Sequence, residues 1–220
     1  MNINPLKKGM EHKMKQYIFF LMITLLLFSF SIMGTTQTNE ITERNQVVTL
    51  NGGPITLIGP ELKVGDFAPD FQVVAQATLI DEEMKIMNLN DFSGKIKVIS
   101  VTPSLDTPVC DLQIHNFNEE ASTFPIEVVV INISMDLPFA INRFCATSGI
   151  DKVIALSDYR FASFGTNWGV LIKELRLLTR ALFIVDKENV IRYIEIVLDT
   201  TQAPDYEQAL NALKQLIHNE

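Results

Sequence analysis

The stretch that decides the fold runs from Lys95 to Ser122 and reads KIKVISVTPSLDTPVCDLQIHNFNEEAS. Residues 96–101 form a short run rich in β-branched side chains, which predicts a buried strand. Pro103 and Pro108 then interrupt the backbone, and a helical pattern begins. Pro108 falls at or next to the first position of this helix, where its missing N–H is tolerated, so that Cys110 lies in the first helical turn.

The position of Cys110 favours reactivity of its sulfur. The apolar side of the predicted helix consists of Cys110, Ile114, Phe117 and Ala121. The N-terminus of a helix has a partial positive charge and favours the thiolate, which is the nucleophilic form of cysteine. Thr107 or Asp106 can cap the helix, and Thr107 can also turn its hydroxyl toward the sulfur. Pro103 closes off one side of the loop and limits the access of water.

The pattern PxxxTxxC, formed by Pro103, Thr107 and Cys110, resembles the active-site motif of the peroxiredoxins. Three longer strings occur in the order found in the bacterial thiol peroxidases, a subfamily of atypical 2-Cys peroxiredoxins: PSLDTPVCD at 103–111, RFC at 143–145 and ELRLLTR at 174–180. The resemblance extends from about Val47 to the C-terminus, and three segments in the right order argue against a chance match.

This resemblance implies a set of roles for particular residues. Cys110 would be the peroxidatic nucleophile that attacks a hydroperoxide and becomes a sulfenic acid, and Cys145 would be the resolving cysteine that forms an intramolecular disulfide with it. Arg180 would stabilise the thiolate, with Thr107 and Pro103 completing the catalytic site. Arg143 and Arg176 are the alternative arginines, each of which is otherwise a solvated surface charge.

The resemblance also implies substrates and partners. We expect reduction of hydrogen peroxide and organic hydroperoxides, recycling by thioredoxin or an extracytoplasmic thioredoxin-like reductant, a homodimer, and no metal or other cofactor. This activity would serve antioxidant defence and redox homeostasis.

Other interpretations of the two cysteines stay open at this point. Cys145 read by itself is a small buried apolar residue, and a cysteine pair in an exported domain is also consistent with a purely structural disulfide. A thiol-disulfide oxidoreductase is disfavoured because the chain has no C-x-x-C motif. A membrane-tethered peroxide sensor that passes oxidation to a partner would share the first chemical step.

The N-terminal segment differs from the rest of the chain. Residues 17–33 are an uncharged apolar run preceded by four lysines, which predicts that residues 1–34 are a signal peptide or membrane anchor. Residues 35–46 are polar and are interpreted as a tether, followed by one domain at 47–220. The prediction is therefore an extracytoplasmic protein, exported or tethered to the membrane through residues 17–33.

The charge balance argues against nucleic-acid binding. The chain has 18 Lys and Arg and 26 Asp and Glu, a net charge of −8. Residues 1–34 contain four Lys and one Glu, so the remainder has 14 basic and 25 acidic side chains, a net charge of −11. Such a surface repels phosphate backbones.

The order of predicted elements indicates an α/β protein. Strands and helices alternate from residue 86 to the C-terminus, with a final strand pair before the last helix, which is the order of a thioredoxin-like fold. This predicts a central mixed sheet flanked by helices, with an N-terminal β-hairpin turning at Asn51–Pro54 as an extension. Asp136 is expected to cap a helix that extends to Ser148.

Overall fold

The structure, a computed structural model, describes Met14, residues 42–75 and residues 84–219. The chain divides into two compact units, Met1–Glu40 and Ile41–Glu220. Apart from Met14, the described residues all belong to the second unit. The predicted signal or anchor segment at 1–34 and the tether up to residue 41 therefore lie outside the described residues, Met14 excepted.

The predicted extracytoplasmic location is corrected by the structure. Within residues 42–75 and 84–219, no helix is long and apolar enough to cross a membrane. None of these helices could anchor the protein, and the prediction of a protein exported or anchored by its N-terminal segment is not retained. Residues 17–33 are not among those that the structure describes.

Strands and short helices make up the second unit. The strands are β1 (Glu43–Leu50), β2 (Gly53–Ile58), β3 (Val73–Val74), β4 (Ile86–Met87), β5 (Ile96–Val101), β6 (Val128–Ser134), β7 (Val153–Ser157), β8 (Leu171–Ile172), β9 (Ala181–Val185) and β10 (Ile191–Ile196). The helices are α1 (Pro108–Ala121), α2 (Pro138–Ser148), α3 (Ser163–Asn167) and α4 (Tyr206–Asn219), with a 3-10 helix at Leu89–Phe92.

The central sheet has the strand order β10-β9-β5-β6-β7-β3-β4. β5 pairs parallel with β6 and antiparallel with β9, so the sheet is mixed. All six residues of β5 are buried, as the apolar run predicted. This strand is an interior strand of the sheet, with β9 on one side and β6 on the other. The loop that follows its carboxyl end, which leads to α1, therefore begins well inside the protein.

Helices cover both faces of this sheet, as predicted. On one face, Ile96 and Val98 of β5 pack with Ile114 of α1, Ile141 of α2 and Leu213 of α4. On the other face, Ile99 and Val101 pack in a cluster with Phe164, Trp168 and Phe71. The alternation follows from the period of two along a strand. It places the even-numbered residues of β5, including Ser100, on the side of α1.

The predicted N-terminal hairpin is present as β1 and β2, which join β8 in a separate three-stranded sheet. β1 begins at Glu43, so residues 43–46 belong to a strand and not to the tether. Side-chain contacts explain the early start: Arg44 donates to the carbonyls of Gly59 and Gly169, and Glu43 forms an ion pair with Lys173 at 2.7 Å.

Asp136 does not cap α2. Leu137 occupies the cap position, and α2 has no side-chain cap. The Asp136 carboxylate instead accepts hydrogen bonds from the Ser104 hydroxyl at 2.7 Å, the Leu105 N–H at 2.8 Å and the Ser134 hydroxyl at 2.9 Å. Asp136 therefore fixes the loop between β5 and α1 against the end of β6, which positions the start of α1.

Candidate active site

Cys110 lies in the first turn of α1, with Pro108 at the start of the helix and Thr107 in the cap position. The cysteine is completely buried, as are Ile114 and almost all of Phe117 on the same side of the helix. The apolar side predicted from the spacing therefore turns the sulfur inward. Thr107 has an extended backbone and makes no capping hydrogen bond, so its side chain is available for another partner.

Two donors contact the sulfur. The Thr107 hydroxyl lies 2.9 Å from Cys110 Sγ and 3.0 Å from the Ser104 carbonyl oxygen. A hydroxyl has one proton, so it donates to one of these acceptors at a time, and an anionic sulfur is the stronger acceptor. Arg180 Nη2 donates to the same sulfur at 3.3 Å. A cation and a hydroxyl thus both stabilise the thiolate form of Cys110.

Hydrogen bonds fix both the backbone and the guanidinium of Arg180. It directly precedes β9 and is only 2% exposed. Its Nη1 donates to Gln113 Oε1 at 2.6 Å and its Nε to the Thr200 carbonyl at 3.1 Å. Its backbone N–H donates to Thr200 Oγ1 at 3.0 Å. The guanidinium is therefore fixed in its orientation toward the sulfur before any substrate arrives.

Gln113 is a site residue that the sequence analysis missed. Its side chain is buried; Oε1 accepts from Arg180, and Nε2 donates to Ser100 Oγ at 2.8 Å. A carboxamide is neutral, so it orients the guanidinium without cancelling the positive charge next to the sulfur. The available signal was its spacing, because a residue three positions after Cys110 lies on the same side of a helix.

Within the described part of the chain, the other candidate residues make no hydrogen bond to Cys110 Sγ. Arg143 and Arg176, the alternative arginines, are both exposed, and only Arg180 among the three is hydrogen-bonded to Cys110. Pro103 is half-buried and lies two residues after the end of β5, in the connection that leads to α1. Trp168 is buried in the core on the opposite face of the central sheet.

Cys145 lies on α2, and both cysteines are free thiols in this structure. It is half-buried and packs against the cluster that includes Ile114 and Ile141. Burial raises the pKa of the Cys145 thiol, an effect that a backbone hydrogen bond partly offsets. Phe144 meets His115 of α1 edge-on, with ring centroids 6.3 Å apart. The two helices that contain the cysteines are therefore neighbours.

Comparisons with known proteins agree with this arrangement. Residues 63–210 match the family model described as Redoxin. The thiol peroxidase of Staphylococcus aureus (strain MRSA252) is 50% identical over 169 residues, which cover 77% of this chain and 98% of the relative. The thiol peroxidase of Bacillus subtilis (strain 168) is 48% identical over 170 residues, with the same coverage of both chains.

Solved structures support the same assignment. The crystal structure of a peroxiredoxin-like protein from Aquifex aeolicus is 39% identical, with a TM-score of 0.70, and the match covers 78% of this chain and 97% of that one. The predicted thioredoxin-like fold is therefore confirmed. The chain belongs to the redoxin family and is a peroxidase of the peroxiredoxin type, similar to the bacterial thiol peroxidases.

Proposed function

We propose that this protein reduces hydrogen peroxide and organic hydroperoxides by a two-cysteine mechanism, with Cys110 as the peroxidatic and Cys145 as the resolving cysteine. One observation supports the first role above all others. Cys110 Sγ accepts hydrogen bonds from Thr107 Oγ1 at 2.9 Å and from Arg180 Nη2 at 3.3 Å. The family membership and the identity to thiol peroxidases support the peroxidase activity itself.

In the first step the Cys110 thiolate attacks the terminal oxygen of the hydroperoxide. An S–O bond forms, the O–O bond breaks, and the departing oxygen takes a proton and leaves as water or an alcohol. The sulfur is oxidised by two electrons to a sulfenic acid while the peroxide is reduced by two. Arg180 and Thr107 stabilise the charge that develops on the two oxygens, because their donors are already oriented in the buried site.

In the second step the Cys145 thiol attacks the sulfenic acid. An S–S bond forms, the S–O bond breaks, and water leaves with the thiol proton. A disulfide requires Cα atoms within about 7 Å of each other. Cys110 is completely buried on one helix and Cys145 lies on another, so we expect the first turn of α1 to unwind during this step.

A dithiol protein of the thioredoxin type then restores both thiols by two exchange reactions and is itself oxidised to a disulfide. The homodimer expected from the resemblance stays a prediction.

The mechanism is tested by rapid mixing of the fully reduced protein with hydrogen peroxide and with a bulky organic hydroperoxide, followed by thiol titration. We expect fast loss of both thiols in the unsubstituted chain. Cys145→Ser should lose its single remaining thiol at the same fast rate and stop at the sulfenic acid. Cys110→Ser is the matched control and should react no faster than an ordinary thiol.

Slow oxidation of the unsubstituted protein would contradict the peroxidase proposal. Fast oxidation of Cys110 without a Cys110–Cys145 disulfide, checked by mass spectrometry of tryptic peptides, would contradict the resolving role of Cys145 only. Multiple turnovers with thioredoxin and a reductase would support the proposed recycling, whereas oxidation of one equivalent of peroxide and no more would contradict it.

A further inference from the structure

The N-terminal hairpin contacts the segment that holds the active-site arginine. The backbone N–H of Thr49 in β1 donates to the Leu198 carbonyl at 2.7 Å, and the Thr200 N–H donates to the Thr49 carbonyl at 2.9 Å. These two bonds flank Asp199, which pairs with Thr49 as a parallel bridge. The hairpin, an addition to the thioredoxin-like core, is thus bonded directly to residues 198–200.

The Asp199 carboxylate reinforces this connection. Oδ2 accepts from Gly52 N at 2.8 Å and from Thr49 Oγ1 at 2.9 Å, and Oδ1 accepts from Asn51 N at 3.3 Å. Oδ1 also accepts from the backbone N–H and hydroxyl of Thr201 at 3.0 and 2.6 Å. Both carboxylate oxygens therefore accept hydrogen bonds. Some donors belong to the hairpin, and the others belong to Thr201.

The turn itself is built to present these donors. Asn51 and Gly52 both have positive φ, at 51° and 78°, which is the geometry of a two-residue turn that follows the twist of a hairpin. This geometry directs the two successive N–H groups toward the carboxylate. Hydrogen bonds to the charged form hold the pKa of Asp199 well below its usual range, the Thr201 hydroxyl having the largest effect.

The next residue connects this cluster to the reaction. Thr200 is 3% exposed, and its hydroxyl and carbonyl oxygens accept from the Arg180 backbone N–H and Nε. Arg180 in turn donates to Cys110 Sγ. Hydrogen bonds therefore connect the hairpin turn to Asp199, and Thr200 to Arg180 and the reactive sulfur, while the peptide bond joins Asp199 to Thr200.

We propose that the N-terminal hairpin positions the active-site arginine, and that Asp199 is the positioning residue that transmits this constraint through Thr200 to Arg180. Asp199 does not touch the sulfur. It fixes the backbone of residues 198–200, and so the two oxygens that orient Arg180. The expected effect on the rate of Cys110 oxidation rests on the proposed peroxidase function. The expected effect on the position of Arg180 does not.

Asp199→Asn tests the proposal because it keeps the volume and removes an acceptor. Each carboxylate oxygen accepts from at least one backbone N–H, which cannot accept in return, so an amide NH2 group must face one of these donors. We expect the rate of Cys110 oxidation by peroxide to fall between about tenfold and a hundredfold, since small displacements of a positioning group have effects of that size. Alkylation by iodoacetamide depends on the thiolate but not on a guanidinium that binds peroxide, so at a pH high enough to ionise the thiol in both proteins its rate should change less than twofold.

Glu174→Gln is the matched control. Glu174 is an exposed carboxylate that accepts hydrogen bonds from the same hairpin, through the Thr56 N–H at 3.1 Å on both oxygens, and within the described residues it is not hydrogen-bonded to residues 198–200. In the Glu174→Gln variant, peroxide should oxidise Cys110 at a rate within twofold of that in the unsubstituted protein. Thr200→Ser, which keeps the hydroxyl, should likewise retain the rate that Thr200→Val loses.

A double-mutant cycle separates positioning from general destabilisation. Arg180→Lys keeps the charge but has no Nε–H to donate to the Thr200 carbonyl. In that background Asp199→Asn should change the peroxide rate less than twofold, because the side-chain bond from Nε to the Thr200 carbonyl, through which the guanidinium is oriented, is already lost. An equal loss in both backgrounds, or an equal loss in Glu174→Gln, would overturn the proposal.

Amide exchange provides a readout that does not depend on activity. The Arg180 N–H donates a hydrogen bond to Thr200 Oγ1. Its proton should exchange at least tenfold faster in Asp199→Asn and at an unchanged rate in Glu174→Gln. Unchanged Arg180 exchange in both variants would also overturn the proposal. If instead the unsubstituted protein reacts slowly with peroxide, the proposed function fails, and the exchange data still decide whether the hairpin holds Arg180.

Discussion

At the scale of single residues, the site combines one local and one distant donor around a buried sulfur. Thr107 lies three residues before Cys110, and its hydroxyl reaches the sulfur because the helix begins between them. Arg180 is 70 residues away in the chain and reaches the same atom from the sheet. The local donor follows from helix geometry, whereas the distant one depends on the whole fold.

Thr107→Val should lower the rate of Cys110 oxidation by about a hundredfold, the usual cost of removing one oriented donor from a site where charge develops. The variant keeps the shape of the side chain and loses only the hydroxyl. Thr107→Ser is the control and should stay near the unsubstituted rate. Competition kinetics against a second peroxidase would measure both, and equal rates for Val and Ser would show that the hydroxyl takes no part.

Asp158 predicts a pH dependence of stability. It is completely buried and accepts from the N–H groups of Phe164 at 3.1 Å and Gly165 at 2.7 Å. Burial raises its pKa to about 6, although these bonds and Arg176 act in the opposite direction. The folded state therefore binds more protons than the unfolded state between about pH 4 and pH 6, and stability decreases as the pH rises through that range.

The difference in unfolding free energy between the unsubstituted protein and Asp158→Asn should therefore fall by about 2 to 3 kcal/mol from pH 4 to pH 6 and stay constant above it. Urea denaturation at a series of pH values measures it. Asp199→Asn is the opposite case: because the pKa of Asp199 is lowered, the stabilisation from Asp199 is present above pH 4 and is lost as the pH falls further. A pH-independent difference for Asp158→Asn would contradict the assigned shift.

At the scale of elements, the two helices with cysteines share an uncommon start. α1 and α2 each begin with proline, and neither Thr107 nor Leu137 in the cap position makes a side-chain capping bond. A missing cap makes the first turn of a helix less stable by about 1 kcal/mol. This low cost of opening is suited to the movement that the proposed Cys110–Cys145 disulfide would require.

Leu137→Ser supplies the missing cap. Leu137 is 52% exposed, so the substitution loses little buried surface and should stabilise the protein by about 1 kcal/mol in urea unfolding. If α2 must fray during disulfide formation, the sulfenic acid of Cys110 should also persist longer. Lys152→Ser on an exposed loop is a control for surface polarity, and greater stability there would remove the capping explanation.

Disulfide formation should change protection of the first turns. We expect residues 107–115 to exchange amide protons faster in the oxidised than in the reduced protein, since Cys110 must leave its buried position. The strand β5 should remain equally protected in both states and serves as the internal reference. Identical exchange of residues 107–115 in the two states would show that the disulfide forms without unwinding α1.

At the scale of the whole molecule, Arg180 lies where the central sheet meets the hairpin. Thr49 of β1 is bonded to Leu198 and Thr200, on the segment that follows β10. The extension that looked like an accessory in the sequence is therefore part of the support of the site. Truncation before Gly53 removes Thr49 and its two bonds to residues 198 and 200, so rapid mixing with hydrogen peroxide should show slower oxidation of Cys110.

The sequence by itself determined the elements that local patterns specify. The central strand at residues 96–101, the N-terminal hairpin and the turn of Cys110 toward the core all agree with the structure. The reason is physical: β-branched runs, a proline at the first helical position and apolar spacing act over a few residues. The cysteine and its threonine are close in sequence, so their contact was also predictable.

Only the tertiary structure decided the contacts between distant residues. The resemblance implied Arg180, but no local pattern could show that Arg180, and neither Arg143 nor Arg176, is buried and hydrogen-bonded to Cys110. Gln113 orients Arg180, and Asp136 binds the loop between β5 and α1 where a cap of α2 was expected. Both roles arise from hydrogen bonds between different elements. A buried polar side chain takes whichever partner the fold brings to it, and no local pattern specifies that partner.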